Sequence, residues 1–191
     1  TVTYVGAALT EPWACVEASY RVSYRTHMHK GGNAWFVGGI RSGYDLRALW
    51  SDGNVPARVV VSDVPIDLLA DIRRLSHSVG TTVQELSRDT VLAGEQRFDD
   101  IIVLDGEAAD VDAAGPLLAR GGILAMLRES PMSSTIQMDM GRVHYDHILY
   151  VGTTGLNITM AYQGTPVRPD LKPGGIAWIL GAGGPMGRMH L

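Results

Sequence analysis

Short apolar runs alternate along this chain with stretches of helical periodicity, and most of the runs close on a glycine or an aspartate. Residues 34–37 (AWFV) lead into Gly38-Gly39, residues 58–63 (RVVVSD) stop at Asp63, and residues 98–105 (FDDIIVLD) stop at Asp105. Residues 123–127 (ILAML) follow Gly121-Gly122, and residues 147–151 (HILYV) stop at Gly152. Unbroken apolar runs of this length are the mark of strands buried on both faces. Between them the spacing predicts a short helix over 44–50, ended by Asp52-Gly53-Asn54, and another over 110–120. A third spans 65–77, with Ile66, Leu68, Leu69, Ile72 and Leu75 on one face and Gly80 as its stop. Strands that alternate with helices form βαβ units and a parallel sheet covered on both sides. The expected class is therefore α/β, a Rossmann-like doubly wound parallel sheet over residues 31–152.

Composition narrows the function. Sixteen basic against twenty acidic residues leave a net charge of −4, without the basic excess of a nucleic-acid footprint. With 46% hydrophobic and 19% charged residues the chain can bury a core, so disorder is excluded. No apolar run approaches the roughly 20 residues of a membrane-spanning helix, so neither nucleic acid nor a membrane is expected as a partner. The single cysteine, Cys15, rules out an internal disulfide framework and makes a reducing, cytoplasmic setting the default. On an apolar helix it reads as a small core residue. The 23 glycines exceed the roughly 13 that average usage would give a chain of this length, and they cluster where a backbone must turn or approach a ligand closely.

Two of those clusters carry chemistry. Gly181-Ala182-Gly183-Gly184-Pro185-Met186-Gly187 follows the apolar run 176–180. A dinucleotide turn needs glycines for the sharp bend, for backbone access to the pyrophosphate and for close helix packing. The helix after it then offers unpaired N–H groups to the phosphates. The spacing, G-x-G-G-x-x-G, is one residue away from the strict fingerprint. The other cluster is Gly38-Gly39-Ile40-Arg41-Ser42-Gly43, in which Ile40 stands where the middle glycine belongs. Asp63, at the end of the next strand, stands where a carboxylate would accept hydrogen bonds from both ribose hydroxyls and repel a 2′-phosphate. Its plainer role is as an N-cap for the helix after Pro65. The cofactor-binding candidates are thus Gly38, Gly39, Gly43 and Asp63, and Gly181, Gly183, Gly184 and Gly187. The two clusters follow matching segments: residues 30–38 (KGGNAWFVG) align with residues 173–181 (PGGIAWILG). The second copy reads as the first strand and turn of a second Rossmann-like unit at 176–191, reached through a proline-bearing linker at 153–175. His27-x-His29 and His144-x-x-His147 lack a third ligand at a recognised spacing and read as surface or capping histidines.

The order of these segments resembles the coenzyme-binding part of the medium-chain dehydrogenase/reductase superfamily, the zinc-type alcohol and polyol dehydrogenases. Residues 7–16 (AALTEPWACV) look like the helix that precedes the Rossmann domain in the polyol branch. Residues 98–103 (FDDIIV), 117–124 (LLARGGIL) and 172–187 (KPGGIAWILGAGGPMG) resemble its strand and turn motifs. The sorbose-phosphate-reductase-like branch is nearest in character. The resemblance implies NAD or NADP as cofactor, an alcohol, polyol or sugar phosphate as substrate, and a homo-oligomer as the assembly to test. It implies zinc in the full-length protein, with Glu11 as a ligand and the others outside this chain. Residues 1–30 become the helix and connector from an absent N-terminal catalytic domain, and the chain a fragment of an oxidoreductase, inactive alone. Ile40 and Arg41 depart from the family pattern and leave open which turn holds the cofactor. Two alternatives stay open: an S-adenosylmethionine-dependent methyltransferase, which also uses a glycine turn and an acid after the second strand, and a cofactor-free Rossmann module that docks a partner.

Overall fold

In the computed structural model residues 3–21, 23–51, 53–164 and 173–190 are described. The chain divides into two compact units, residues 25–165 and residues 1–24 with 166–191.

The larger unit is built on six parallel strands: β1 (Asn33–Gly38), β2 (Arg58–Ser62), β3 (Thr82–Glu85), β4 (Phe98–Leu104), β5 (Leu118–Leu127) and β6 (Leu149–Thr153). Their order in the sheet is β3-β2-β1-β4-β5-β6, the doubly wound arrangement, with the direction of winding reversing between β1 and β4. Alternation explains why the central strands read as unbroken apolar runs. Phe36, Val59, Val61, Ile102 and Leu104 face one core, where α2 (Arg47–Ser51), α3 (Ile66–Val79) and α7 (Ile158–Gln163) add Leu49, Trp50, Leu68, Ile72 and Tyr162. Trp35, Val37, Val60, Ile101 and Val103 face the other, covered by Val91 of α4 (Arg88–Leu92) and by Val111 and Ala114 of α5 (Ala108–Ala114). A further helix of this unit is α6 (Met140–Tyr145).

Several expected bounds shift. The helix placed at 65–77 runs to Val79 and ends, as expected, on a left-handed Gly80 (φ 76°). Its first apolar residue, Ile66, is exposed rather than on the buried face. The helix placed at 110–120 occupies 108–114, because β5 already begins at Leu118 and carries Gly121-Gly122 inside it. Residues 157–164, expected to belong to a linker over 153–175, instead form α7 and its caps, with Ile158, Ala161 and Tyr162 buried. Asn157 starts this helix by accepting a hydrogen bond from the Thr159 amide. Asp52, Pro166, Pro169 and the rest of 165–172 lie outside the described residues.

A buried ionic cluster closes the amino-terminal end of the sheet. Asp100, on β4, has no exposed surface and accepts from Arg25 (2.6 Å), the His29 amide (2.8 Å) and the Tyr162 hydroxyl (2.9 Å). One carboxylate thus ties the connector before β1 and α7 to the central strand.

In the smaller unit α1 spans Tyr4–Arg21 and takes Pro12 into its interior, giving up one backbone hydrogen bond there. Its one buried residue is Val16, and Cys15, expected in a core, is exposed. The strand expected at 176–180 is not formed. Residues 175–179 have no regular structure, and Trp178 is 86% exposed. A strand needs a neighbour to pair its N–H and C=O groups, and this one pairs with none among the described residues. The turn after it does form and leads into α8 (Pro185–Arg188).

Candidate active site at the carboxyl ends of the strands

In an open α/β sheet a ligand binds beyond the carboxyl ends of the strands, where the strand order reverses. Here that crevice lies beyond Gly38 and Leu104. Gly38 and Gly39 both have positive φ (77° and 114°), so the bend is one that glycine makes readily. It is also tightly packed. A Cβ on Gly38 would stand 2.8 Å from the Leu104 carbonyl oxygen, and one on Gly39 would stand 2.9 Å from Pro65 Cδ.

The amides of the turn are not free. The N–H groups of Ile40 and Arg41 both donate to Asp105 Oδ2, at 3.1 and 3.3 Å. The Tyr44 hydroxyl donates to the same oxygen, and the Arg41 guanidinium lies 2.5 Å from Asp105 Oδ1. Gly43, the third predicted glycine, donates its N–H to Asp67 at 2.9 Å. Asp45 accepts from the Arg47 amide at the start of α2. Asp105, Asp67 and Asp45 thus accept from the amides of residues 40, 41, 43 and 47. Burial pushes the Asp105 carboxyl up, but the adjacent Arg41 guanidinium and the hydrogen bonds from Tyr44 and the two amides outweigh it and hold it below the usual carboxylate range. Burial, with the adjacent carboxylate, pushes the Tyr44 phenol up to about 12. Ile40, within the turn, is 90% exposed. A diphosphate does not fit this turn while Asp105 occupies it. Asp105, Arg41 and Tyr44 were not among the site residues expected from sequence. The legible signal was an aspartate closing an apolar strand.

The end of β2 is different. Asp63 follows β2 at φ 56°, and its side chain is 62% exposed. It does not cap α3, whose N-cap is Pro65. Beside it a hollow of about 340 Å3 is lined by Asp63, Val64, Leu69, Glu85, Leu86 and Ser87. Its size suits a small ligand. A larger hollow of about 580 Å3, among Arg97, Asp112, Asp139, Arg142 and Tyr150, opens where the chain enters β4 and β6, at the other end of the sheet. Position, not size, favours the smaller one.

The second glycine cluster belongs to the smaller unit. Gly181 has φ 82°, and its carbonyl accepts from the Gly184 amide at 2.9 Å. Gly187 is forced by close approach, since a Cβ there would lie 2.3 Å from the Gly181 oxygen. Gly181 and Gly183 border open space. Glu11 is exposed on α1 and accepts a hydrogen bond from the Cys15 thiol at 3.1 Å, which raises the thiol's pKa. No group of three or more His, Cys, Asp or Glu side chains placed to hold a metal occurs among the described residues, so a zinc site on Glu11 would need ligands from elsewhere. None of the described helices is long and apolar enough to cross a membrane.

No family model matches the chain. It is 28% identical over 182 residues to YggP of Escherichia coli, an uncharacterized protein, with 80% of this chain and 42% of YggP covered. Among solved structures it is similar to 2R,3R-butanediol dehydrogenase from Bacillus subtilis (15% identity, TM-score 0.45, 85% of this chain and 48% of that one). It is also similar to the alcohol dehydrogenase of Aeropyrum pernix (22%, 0.44, 74% and 39%) and to acetophenone reductase from Geotrichum candidum in complex with NAD (14%, 0.40, 76% and 38%). The chain spans less than half the length of each of these proteins.

Proposed function

We propose that this chain is the coenzyme-binding part of an NAD(P)-dependent oxidoreductase of the medium-chain type, acting on an alcohol, polyol or sugar phosphate. One observation carries the reading: an exposed carboxylate, Asp63, stands at the carboxyl end of β2 beside a hollow of about 340 Å3, in a sheet of order β3-β2-β1-β4-β5-β6. In that position a carboxylate holds the ribose hydroxyls of NAD and repels the extra phosphate of NADP. The cofactor would supply the hydride, and the chain would hold its adenosine end. The bend at Gly181, Gly183, Gly184 and Gly187 is a second candidate phosphate turn, as part of a further nucleotide-binding unit. Zinc would require Glu11 together with ligands outside this chain. A cytoplasmic location and a homo-oligomer belong to the same reading.

Calorimetric titration with AMP, NADH, NADPH and S-adenosylmethionine tests it. AMP and NADH should bind, NADPH should bind more weakly, and Asp63→Ala should weaken NADH while narrowing its advantage over NADPH. Binding of S-adenosylmethionine with no response to AMP or NADH would instead indicate a methyltransferase. A second reading, a cofactor-free docking module, is favoured by the Asp105 carboxylate in the first turn. It predicts that none of the four ligands binds, and that Ile40→Gly changes nothing.

A further inference from the structure

We propose that Asp105 is an internal ligand of the first glycine turn: its carboxylate occupies the seat of the cofactor's diphosphate, and a diphosphate enters only by displacing it. The proposal rests on the coenzyme reading of the crevice and deepens it.

The donor set is that of an oxyanion site. Two successive backbone amides, those of Ile40 and Arg41, converge on Asp105 Oδ2, the Tyr44 hydroxyl joins them, and the Arg41 guanidinium takes Oδ1. Converging amides with an adjacent guanidinium bind phosphate by the same chemistry, because an ionised carboxylate and a phosphoryl group are both pure acceptors. Arg41 has only weak alternatives, the Glu129 carboxylate at 3.8 Å and the Thr154 carbonyl at 3.5 Å. Its guanidinium also lies over the Tyr44 ring, 5.6 Å from the centroid, which keeps it aimed at the seat.

Asp105 is held there by its backbone. It follows the last residue of β4, its amide donates to the Leu127 carbonyl at 2.7 Å, and its φ of 52° is left-handed, a conformation few non-glycine residues adopt. Arg128 donates to the carbonyl oxygens of Asp105 and Gly106, holding the peptide beyond it. The carboxylate can therefore leave the seat by side-chain rotation while the backbone stays in place. A diphosphate, with more charge than one carboxylate, would gain more from Arg41. The turn thus has the glycines and donors of a phosphate site and a built-in competitor for it.

Inorganic pyrophosphate is the probe, titrated at neutral pH and low salt into the intact protein and two variants. Asp105→Gly removes the competitor at a position whose backbone already suits glycine. It should bind pyrophosphate about ten-fold more tightly than the parent, a change worth roughly 1.4 kcal/mol. Asp105→Asn keeps the length of the side chain but removes its charge, so it should show a smaller gain, and it decides the matter if Asp105→Gly does not fold. Equal affinities, or no binding by parent and variants alike, would overturn the proposal. AMP separates it from the coenzyme reading. AMP binding equally to parent and Asp105→Gly, without a pyrophosphate gain, removes only the internal ligand. A pyrophosphate gain without AMP binding leaves the internal ligand standing and removes the coenzyme reading.

Discussion

Asp105 engages both of its oxygens, one with Arg41 and the other with Tyr44 and two amides. Its pKa is depressed in the fold, so it stabilises the folded state fully above its unfolded value of about 4, and that contribution is lost as pH falls through the lowered pKa. The stability difference between the parent and Asp105→Asn, measured by urea unfolding, should be on the order of 2 kcal/mol at pH 7 and should shrink towards pH 3. A difference that ignores pH would mean that the charge is not what matters there. Gly38 and Gly80 form a second test at this scale. Both have positive φ, but a Cβ on Gly80 meets open space, whereas one on Gly38 meets the Leu104 carbonyl oxygen at 2.8 Å. Gly80→Ala should cost about 1 kcal/mol from backbone strain alone, and Gly38→Ala distinctly more. Equal shifts in the urea midpoint would contradict the packing given for the bend.

At the scale of elements, the sequence made the buried parts plain and hid the edges. β1, β2 and β4 are legible because both faces are covered, which leaves an apolar residue at nearly every position. β3 (TVQE) was not expected. It is short, polar and at the sheet edge, and its residues are mostly exposed. α7 was hidden for another reason: the prolines after it made the whole stretch look like a linker, although Ile158, Ala161 and Tyr162 have helical spacing. The run at 176–180 shows the converse. It carries the pattern of β1 but pairs with no strand among the described residues, and pattern alone does not make a strand. At the candidate site, the places of Asp63 and of the glycine bends in the fold were legible, because a strand's end and a tight bend both leave a mark in the sequence. The Asp105 contacts were not, because the residues that meet there are more than sixty apart in sequence.

For the larger unit as a whole, the two ends of the sheet carry different kinds of polar cluster. At the amino-terminal end Asp100 is wholly buried and fully engaged. Removing one partner of such a pair leaves an uncompensated charge, so Arg25→Met should cost about 3–5 kcal/mol in urea unfolding, and Tyr162→Phe about 1 kcal/mol. If Arg25→Met were neutral, the cluster would not be what joins the connector and α7 to the sheet. At the carboxyl end the charges are partly open to solvent, and the hollow beside Asp63 leaves space for a ligand. Ligand binding should therefore localise to that end. The most direct measurement is amide chemical-shift mapping during titration with NADH. We expect the shifts to gather on residues 61–64 and 85–87, extending to 40–44 when Asp105 is replaced by glycine. Shifts gathered around Arg97, Asp112 and Tyr150, or no shifts at all, would contradict the assignment of this crevice to a dinucleotide.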